Sequence, residues 1–528
     1  MPNRNILLIE PGYRNKYPPL GLMKIAAYHG SHGKKDNVVF IKGERPEVFE
    51  RGWDRVYVTT LFSFEWKEIA KSIDYAVRVA GTPRKVFVGG IAASLMHEQF
   101  VKELQWRGVR FIKGLLSEAP AVALQLDEFE EELYSDDRDG TPIEDLVPDY
   151  SILDQIRSYY QYPVHDAYFA YASRGCVRKC HFCGVPKLEG AQRDGQSITE
   201  LVRAVDARYG QRRDLMLMDN NVAASANYRN IIAEIRDLGF TPGAKLQRPG
   251  MRVAVQRRVD FNQGVDARIL CKDKMYLEEM ATIALKPLRI AFDHIGVRKP
   301  YETAIRMAHD VGLNDLSNYM LYNFHDTPED LYARMKLNID LNMELGCRIF
   351  SFPMRYQPTD MKDRSHIGEH WNRYFLRSMQ IILQATHGIV SGSPDYFHTA
   401  FGANDAEFRA LLLRPERFLF NRFWYEKFDG RPEFDEFQTQ FEGLGETDRK
   451  ELAQLLSGKK PSEFAGLTSD TTNEAVKRIL PFYVPLDKAL EAQIWEKMRT
   501  KGKAGAQVVP ELPEDERVED AGLVEEVA

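Results

Sequence analysis

The sequence predicts an α/β protein: a doubly wound Rossmann-like domain, then a full or partial (β/α) barrel, then a helical C-terminal extension. Short apolar runs alternate with amphipathic stretches over about the first 115 residues, and a second such series runs from Ala167 to Pro353. Beyond Pro358 the strand-like runs stop.

The first series opens with Asn5–Glu10 (NILLIE), ended by Pro11-Gly12 and followed by a helical stretch, Leu20–Tyr28. Similar runs recur at Val38–Ile41, Arg55–Thr60, Lys85–Val88 and Val109–Ile112, with the amphipathic segments Phe64–Ala80 and Ala92–Leu104 between the later ones. Five strands with intervening helices make residues 1–118 one doubly wound domain. Gly89-Gly90 follows the fourth run directly, at the carboxyl edge where open α/β sheets bind ligands; a tight turn would use the same glycines.

Residues 119–165 read as a linker, acidic through DEFEEELYSDD and ending beyond Pro148-Asp149-Tyr150. The second series covers residues 166–358, with runs at Ala167–Ser173, Leu215–Met218, Val253–Val255 with Val259–Asn262, Leu288–Asp293, Asn318–Asn323 and Ile349–Pro353. Repeated βα units over such a span predict the barrel. Residues 359–505 are mostly helical, with an aromatic-rich stretch at Phe418–Phe428 and a helix at Leu486–Met498. Residues 506–528 are acidic and Pro-containing, the composition of a disordered tail.

Composition narrows the function. Of 528 residues 44% are hydrophobic and 28% charged, the balance of an ordinary soluble enzyme. The net charge is −6 (71 Lys and Arg against 77 Asp and Glu), so no global basic field recruits nucleic acid. No run of about 18 apolar residues, the length that crosses a membrane, occurs, and Met1-Pro2-Asn3-Arg4-Asn5 leads straight into a strand, so the chain is expected in the cytoplasm. Cysteines occur only at 176, 180, 183, 271 and 347, too few for a disulfide framework, and three lie within eight residues. That clustering points to a metal.

The segment Tyr171-Ala172-Ser173-Arg174-Gly175-Cys176-Val177-Arg178-Lys179-Cys180-His181-Phe182-Cys183 sets three thiols in a C-x3-C-x2-C array after a predicted strand. Three thiolates on a four-iron cubane leave one iron open for a cofactor or substrate. A structural zinc site or a four-thiolate cluster needs a fourth ligand, and His181, between two cysteines, is badly placed to supply it. Cys271 and Cys347 stand alone and read as core thiols.

On this array, with aromatic Phe182 before the last cysteine, the chain resembles the radical S-adenosylmethionine superfamily. The resemblance implies that Cys176, Cys180 and Cys183 hold a 4Fe-4S cluster whose open iron chelates the amino and carboxylate groups of S-adenosylmethionine. It implies reductive cleavage of that cofactor to a 5′-deoxyadenosyl radical, with a flavodoxin or ferredoxin as electron donor. The family's Gly-Gly-Glu-like element is replaced here by Met218-Asp219-Asn220-Asn221, where Asp219 would bind the cofactor's amine, as in members with a cobalamin-binding-like domain, or cap a helix. The segment Phe261–Arg268 looks like the family's cofactor-contacting strand. Gln263, Asp266 and Arg268 would there meet ribose hydroxyls and carboxylate, or form a solvated strand end with an internal ion pair. Asp293 and Asn323 end later runs, at barrel edges that build active sites or cap helices; Asp293 is counted with the cofactor contacts. Pro353-Met354-Arg355-Tyr356 closes the last run, where Arg355 would face the substrate or lie in a surface loop. His366 and His370 are spaced to pair on a helix but lack a third ligand.

Pro18-Pro19-Leu20-Gly21-Leu22, Gly89-Gly90 and Pro148-Asp149-Tyr150 look like the cobalamin-binding-like domain and linker fused ahead of many such barrels. The Asp-x-His-x-x-Gly element that supplies a histidine to cobalt is missing, so two readings stand: cobalamin held without a protein ligand, or a domain that has lost the corrin and shapes the substrate cleft. With cobalamin the expected chemistry is methyl transfer to an unactivated carbon; without it, rearrangement, dehydrogenation or sulfur insertion. The substrate is unidentified, a small molecule being favoured over a macromolecule. A metal-binding or redox-sensing protein without turnover is the rival from another class.

Overall fold

A computed structural model describes residues 3–116 and 141–504. The acidic run of the expected linker and the expected tail lie outside the described residues. The chain forms two compact units, the first of Met1–Ala291, Lys299–Ser317 and Tyr356–His366, the second of Phe292–Arg298, Asn318–Arg355 and Ile367–Ala528.

The first unit begins with β1 (Asn5–Glu10), α1 (Leu20–His29), β2 (Asn37–Lys42), β3 (Arg55–Thr60), α2 (Trp66–Ala80), β4 (Val86–Gly90), the short helices α3 (Ile91–Leu95) and α4 (His97–Lys102), and β5 (Arg110–Phe111). The five strands pair in parallel in the order β2-β1-β3-β4-β5. Ile6, Leu7, Leu8 and Ile9 are all buried, as a central parallel strand covered on both faces requires. On one face Leu7, Ile9, Val56, Val58, Val86 and Val88 pack with Ile69, Ile73 and Ala76, the apolar stripe of α2. Each such aliphatic side chain contributes roughly 1.5–3 kcal/mol by leaving water. The expected single helix Ala92–Leu104 is two, because Met96 leaves helical geometry at φ −110°.

Gly89-Gly90 serves the turn. Gly90 has φ 104°, and a Cβ there would lie 2.3 Å from the Thr60 carbonyl oxygen, so only glycine lets β4 end against β3. The Thr60 hydroxyl donates to the Gly89 carbonyl (2.9 Å) and accepts from Ala93 N (2.9 Å), fixing the entry to α3.

After the linker, β6 (Ala167–Ala170) pairs in parallel with β9 (Asp214–Leu217), and β9 with β12 (Val259–Phe261); between them lie β7 (Ser173–Arg174) and β8 (Arg193–Asp194), an antiparallel pair, and the hairpin of β10 (Lys245–Leu246) and β11 (Val255–Gln256). Parallel bridges Val259↔Leu285 and Val265↔Ile290 carry the series on towards β13 (Leu288–Arg289), which pairs with the start of β14 (Asp315–Tyr322). The helices Ile198–Tyr209 and Tyr228–Asp237 separate these strands, as βα repeats demand. The expected strand at Val253–Val255 is reduced to a hairpin arm, and Val253 is 74% exposed: Pro249-Gly250 turns the chain before it and arginines flank it. The expected strand Leu288–Asp293 forms a continuous ladder over Leu288–Arg289 and goes on through the Ile290 bridge and backbone bonds from Ile290 N to the Ser317 carbonyl (2.9 Å) and from Phe292 N to the Tyr319 carbonyl (3.1 Å).

In the second unit, β15 (Arg348–Arg355) lies beside the later part of β14. The helix Pro328–Leu345 starts with Pro328 at its first turn and a capping box between Thr327 and Asp330. Its Arg334 is fully buried, yet satisfied: the guanidinium donates to the carbonyls of Phe292 (3.0 Å), Asp293 (3.1 Å) and Leu321 (2.8 Å) and pairs with Asp326. From Arg373 to Ala504 the described chain is mostly helical, built round Phe418, Tyr425, Phe434, Phe437, Phe482 and Tyr483, and its last described helix is Lys488–Ala504. No described helix is long and apolar enough to cross a membrane.

Candidate functional site

The cysteines sit on the loop that leaves β6. Strand β7 runs into the loop and β8 runs out of it, so their antiparallel pairing, Ser173 with Asp194 and Arg174 with Arg193, closes its base. Gly175 turns the chain into the loop at φ 74°; a Cβ there would stand 2.2 Å from the Ala191 carbonyl oxygen. All three thiols are free of disulfides and partly exposed. The backbone N–H of Arg178 points at Cys176 Sγ (3.4 Å) and that of Val185 at Cys183 Sγ (3.4 Å), while Cys183 N donates to the Cys180 carbonyl (3.1 Å). Phe182 between the last two cysteines is half-buried.

Among the described residues no three His, Cys, Asp or Glu side chains converge on one metal position. A mononuclear zinc site would need four donors about one point. A cubane takes each thiolate on a different iron, and the donor set here, three cysteine thiols on one partly exposed loop, suits that group.

Asp219, just past β9, does not cap a helix. Its carboxylate is buried beneath the loop, accepting from Ala172 N (3.0 Å) and the Ser173 hydroxyl (2.6 Å). Burial pushes its pKa up to about 6, and the bonds from Ser173 and Ala172 pull the other way. Asn221 accepts from Asp266 N (3.4 Å), which brings the strand end 219–221 beside the loop after β12. There Asp266 starts the short helix Ala267–Leu270, accepting from Arg268 N (2.9 Å) and Arg268 Nε (2.8 Å), and it also accepts from Arg178 Nε of the cysteine loop (2.5 Å). Burial would raise its pKa, but the bonds from Arg268 and Arg178 outweigh it and hold the carboxyl below its ordinary range. Gln263 is exposed. Asp293 and Asn323 belong to the second unit, where the Asp293 carbonyl accepts from Arg334 and the Asn323 side chain accepts from Gly368 N (2.8 Å). His366 and His370 lie in a loop, not on the helix their spacing would need.

Several residues of the site carry no motif. Beneath the loop, Lys24 of α1, Glu144, Arg174 and Glu189 alternate in sign, with Lys24 3.1 Å from Glu144, Arg174 against Glu144, and Arg174 3.3 Å from Glu189. The Arg174 guanidinium also stacks 3.3 Å over the Tyr171 ring. Beyond the third cysteine, Lys187 Nζ donates to the Thr359 hydroxyl (3.5 Å) of the segment 356–366, which no pattern of residues places here.

The carboxyl edge of the N-terminal sheet divides in two. At the ends of β1 and β2, Glu10 and Lys42 form a buried pair (2.8 Å) completed by Asn15 and by Tyr162, and Lys42 faces the Tyr160 ring at 4.5 Å. At the end of β4, Gly90 reaches the surface and Gly89 is half-buried.

No protein-family model matches the chain, and no curated protein matches it. Among solved structures it is similar to the radical S-adenosylmethionine methyltransferase TsrM from Kitasatospora setae, with cobalamin and a [4Fe-4S] cluster bound (TM-score 0.46, 16% identity, 68% of this chain and 74% of that one). It is similar to the cobalamin-dependent S-adenosylmethionine radical enzyme OxsB, with aqua-cobalamin and S-adenosylmethionine bound (TM-score 0.47, 13% identity, 100% and 84%). A weaker likeness is to SuiB of Streptococcus suis bound to its precursor peptide SuiA (TM-score 0.27, 12% identity, 51% and 55%).

Proposed function

We propose that this chain is a radical S-adenosylmethionine enzyme. The observation that carries the reading is the C-x3-C-x2-C loop: Cys176, Cys180 and Cys183 are joined by no disulfide, partly exposed, and served by backbone N–H groups at two of the three sulfurs. When bound, a 4Fe-4S cluster with S-adenosylmethionine supplies one-electron cleavage to a 5′-deoxyadenosyl radical for reaction at an unactivated carbon. The three cysteines hold the cluster. Phe182 flanks the cofactor, Asp219 keeps the loop on the strand ends, and Gln263, Asp266 and Arg268 present polar groups to the cofactor from the end of β12.

The domain assignment follows the same reading: a cobalamin-binding-like domain over 1–118, a linker over 119–165, a barrel core over 166–358, a helical region over 359–505 and an acidic tail over 506–528. The chain-order succession of β6, β9, β12, β13 and β14 supports a barrel wall. With the β1 and β2 ends filled by Glu10, Lys42 and Tyr162, a corrin would be received at the Gly89-Gly90 end of the sheet, and methyl transfer is then the reaction. The protein works in the cytoplasm, where thiols stay reduced, on a small molecule, with a flavodoxin or ferredoxin as donor.

Anaerobic reconstitution with iron and sulfide tests the reading. It should give about four irons per chain and, with dithionite and S-adenosylmethionine, 5′-deoxyadenosine; alanine at any of the three cysteines should abolish the latter. A chain that takes zinc and makes no 5′-deoxyadenosine is a metal-binding protein instead. Desalting after incubation with hydroxocobalamin, read by corrin absorption, decides the second cofactor.

A further inference from the structure

The loop that carries the thiols begins at Gly175 and ends at Gly190, and its two ends are held by one carboxylate. Glu189 has a side chain only 8% exposed. Its Oε2 accepts from Gly175 N (2.8 Å), fourteen residues earlier in the chain, and from Asn220 Nδ2 (3.0 Å); its Oε1 accepts from Arg174 Nη1 (3.3 Å). One residue on, the Gly190 carbonyl accepts from Cys176 N (3.3 Å). The residues just before the first cysteine and the strand end below it are thus gathered on a single side chain. A buried carboxylate is stable there because Arg174 neutralises it, and Arg174 is itself fixed by Glu144 and by stacking on Tyr171. Three donors converge on two acceptor-only oxygens, a demand that a carboxylate meets and an amide does not.

We propose that Glu189 is a positioning residue for the cluster: it closes the 175–190 loop on its base, so the three thiols are held in order before any iron arrives. This rests on the radical-enzyme reading for its purpose, not for its geometry. Pre-ordering spares cluster assembly the entropy of fixing the loop.

The test compares the full chain with Glu189→Gln and Glu189→Ala. In the Gln variant size is kept, but one amide N–H2 must face Arg174 or the Gly175 and Asn220 donors. Hydrogen exchange of residues 175–190 in the metal-free protein should quicken by about tenfold in either variant, the scale of one charge-assisted bond, while exchange of the N-terminal sheet stays the same. After anaerobic reconstitution, iron per chain should fall and the electron paramagnetic resonance line of the reduced cluster should broaden, a signature that a loss of overall stability would not produce. If the wild-type chain takes no cluster, the enzymatic reading fails whatever Glu189 does. If it takes a cluster and the Gln variant matches it in loop exchange and line shape, the assignment of Glu189 fails alone.

Discussion

His29 is buried with Nδ1 2.8 Å from Asp36 and Nε2 2.9 Å from the Tyr57 hydroxyl. Burial, the largest influence, lowers its pKa from 6.5 to about 4, against the hydrogen bond with Asp36. The unfolded chain therefore binds this proton first as pH falls, and stability drops between pH 6.5 and about 4, by roughly 3 kcal/mol in full. Asp219 behaves in the opposite sense. Its folded pKa of about 6 exceeds the ordinary 3.8, so its contribution is whole below 3.8 and lost as pH rises through 6, by a similar amount. The two slopes offset each other between about pH 4 and 6, and single variants should uncover them. His29→Gln should gain thermal stability relative to wild type as pH falls from about 7 to 4.5. Asp219→Asn should gain it as pH rises over the same range, set against a fixed loss of about 1–3 kcal/mol for a buried donor left without its acceptor. Melting curves across that range decide; variant curves parallel to the wild type would refute both slopes.

The strand-ending Gly90 allows a sharper statement about an element. Gly90→Ala would place a methyl 2.3 Å from the Thr60 carbonyl at a φ of 104°, so β3 and β4 must part at their carboxyl ends. The expected cost is about 2–3 kcal/mol, read as a lower denaturation midpoint; a change under about 0.5 kcal/mol would show that the turn relaxes freely. The need for glycine there was visible in the sequence, though not whether a turn or a ligand required it. The first five strands were equally visible, since Ile6 to Ile9 is an unbroken apolar run and α2 shows a clean 3.6-residue stripe. The later strands blurred because β13 is two residues long and Val253 looks like a strand residue yet stands exposed. The thiol loop announced itself by spacing alone. Its supports did not: Lys24, Glu144 and Glu189 are ordinary charges in sequence, and only folding sets them in an alternating row under Gly175.

At the scale of the molecule, the chain passes between its two units after Ala291, Arg298, Ser317, Arg355 and His366, so neither unit is a contiguous stretch. The return segment 356–366 fastens itself to the first unit by side chains: Gln99 donates to the Asp360 carbonyl (2.9 Å), Lys362 pairs with Glu103 (2.6 Å) and lies 3.8 Å over Trp66, and Arg364 lies 4.1 Å over Phe64. Each exposed ion pair or cation–π contact is worth about 0.5–1 kcal/mol, so Lys362→Ala with Arg364→Ala, which removes three of them, should take about 1.5–3 kcal/mol from the first unit. Two compact units need not melt together, and a single melting temperature would hide where the loss falls. Hydrogen exchange resolves it by region: in the double variant, peptides from the N-terminal sheet should exchange faster, whereas peptides from the helices after Arg373 keep their wild-type rates. Equal acceleration in both regions would mean that the units unfold as one. No change in either would mean that the stacked cations over Phe64 and Trp66 hold nothing in place, and that the segment is kept there by its other contacts, such as Gln99 with the Asp360 carbonyl and Lys187 with Thr359.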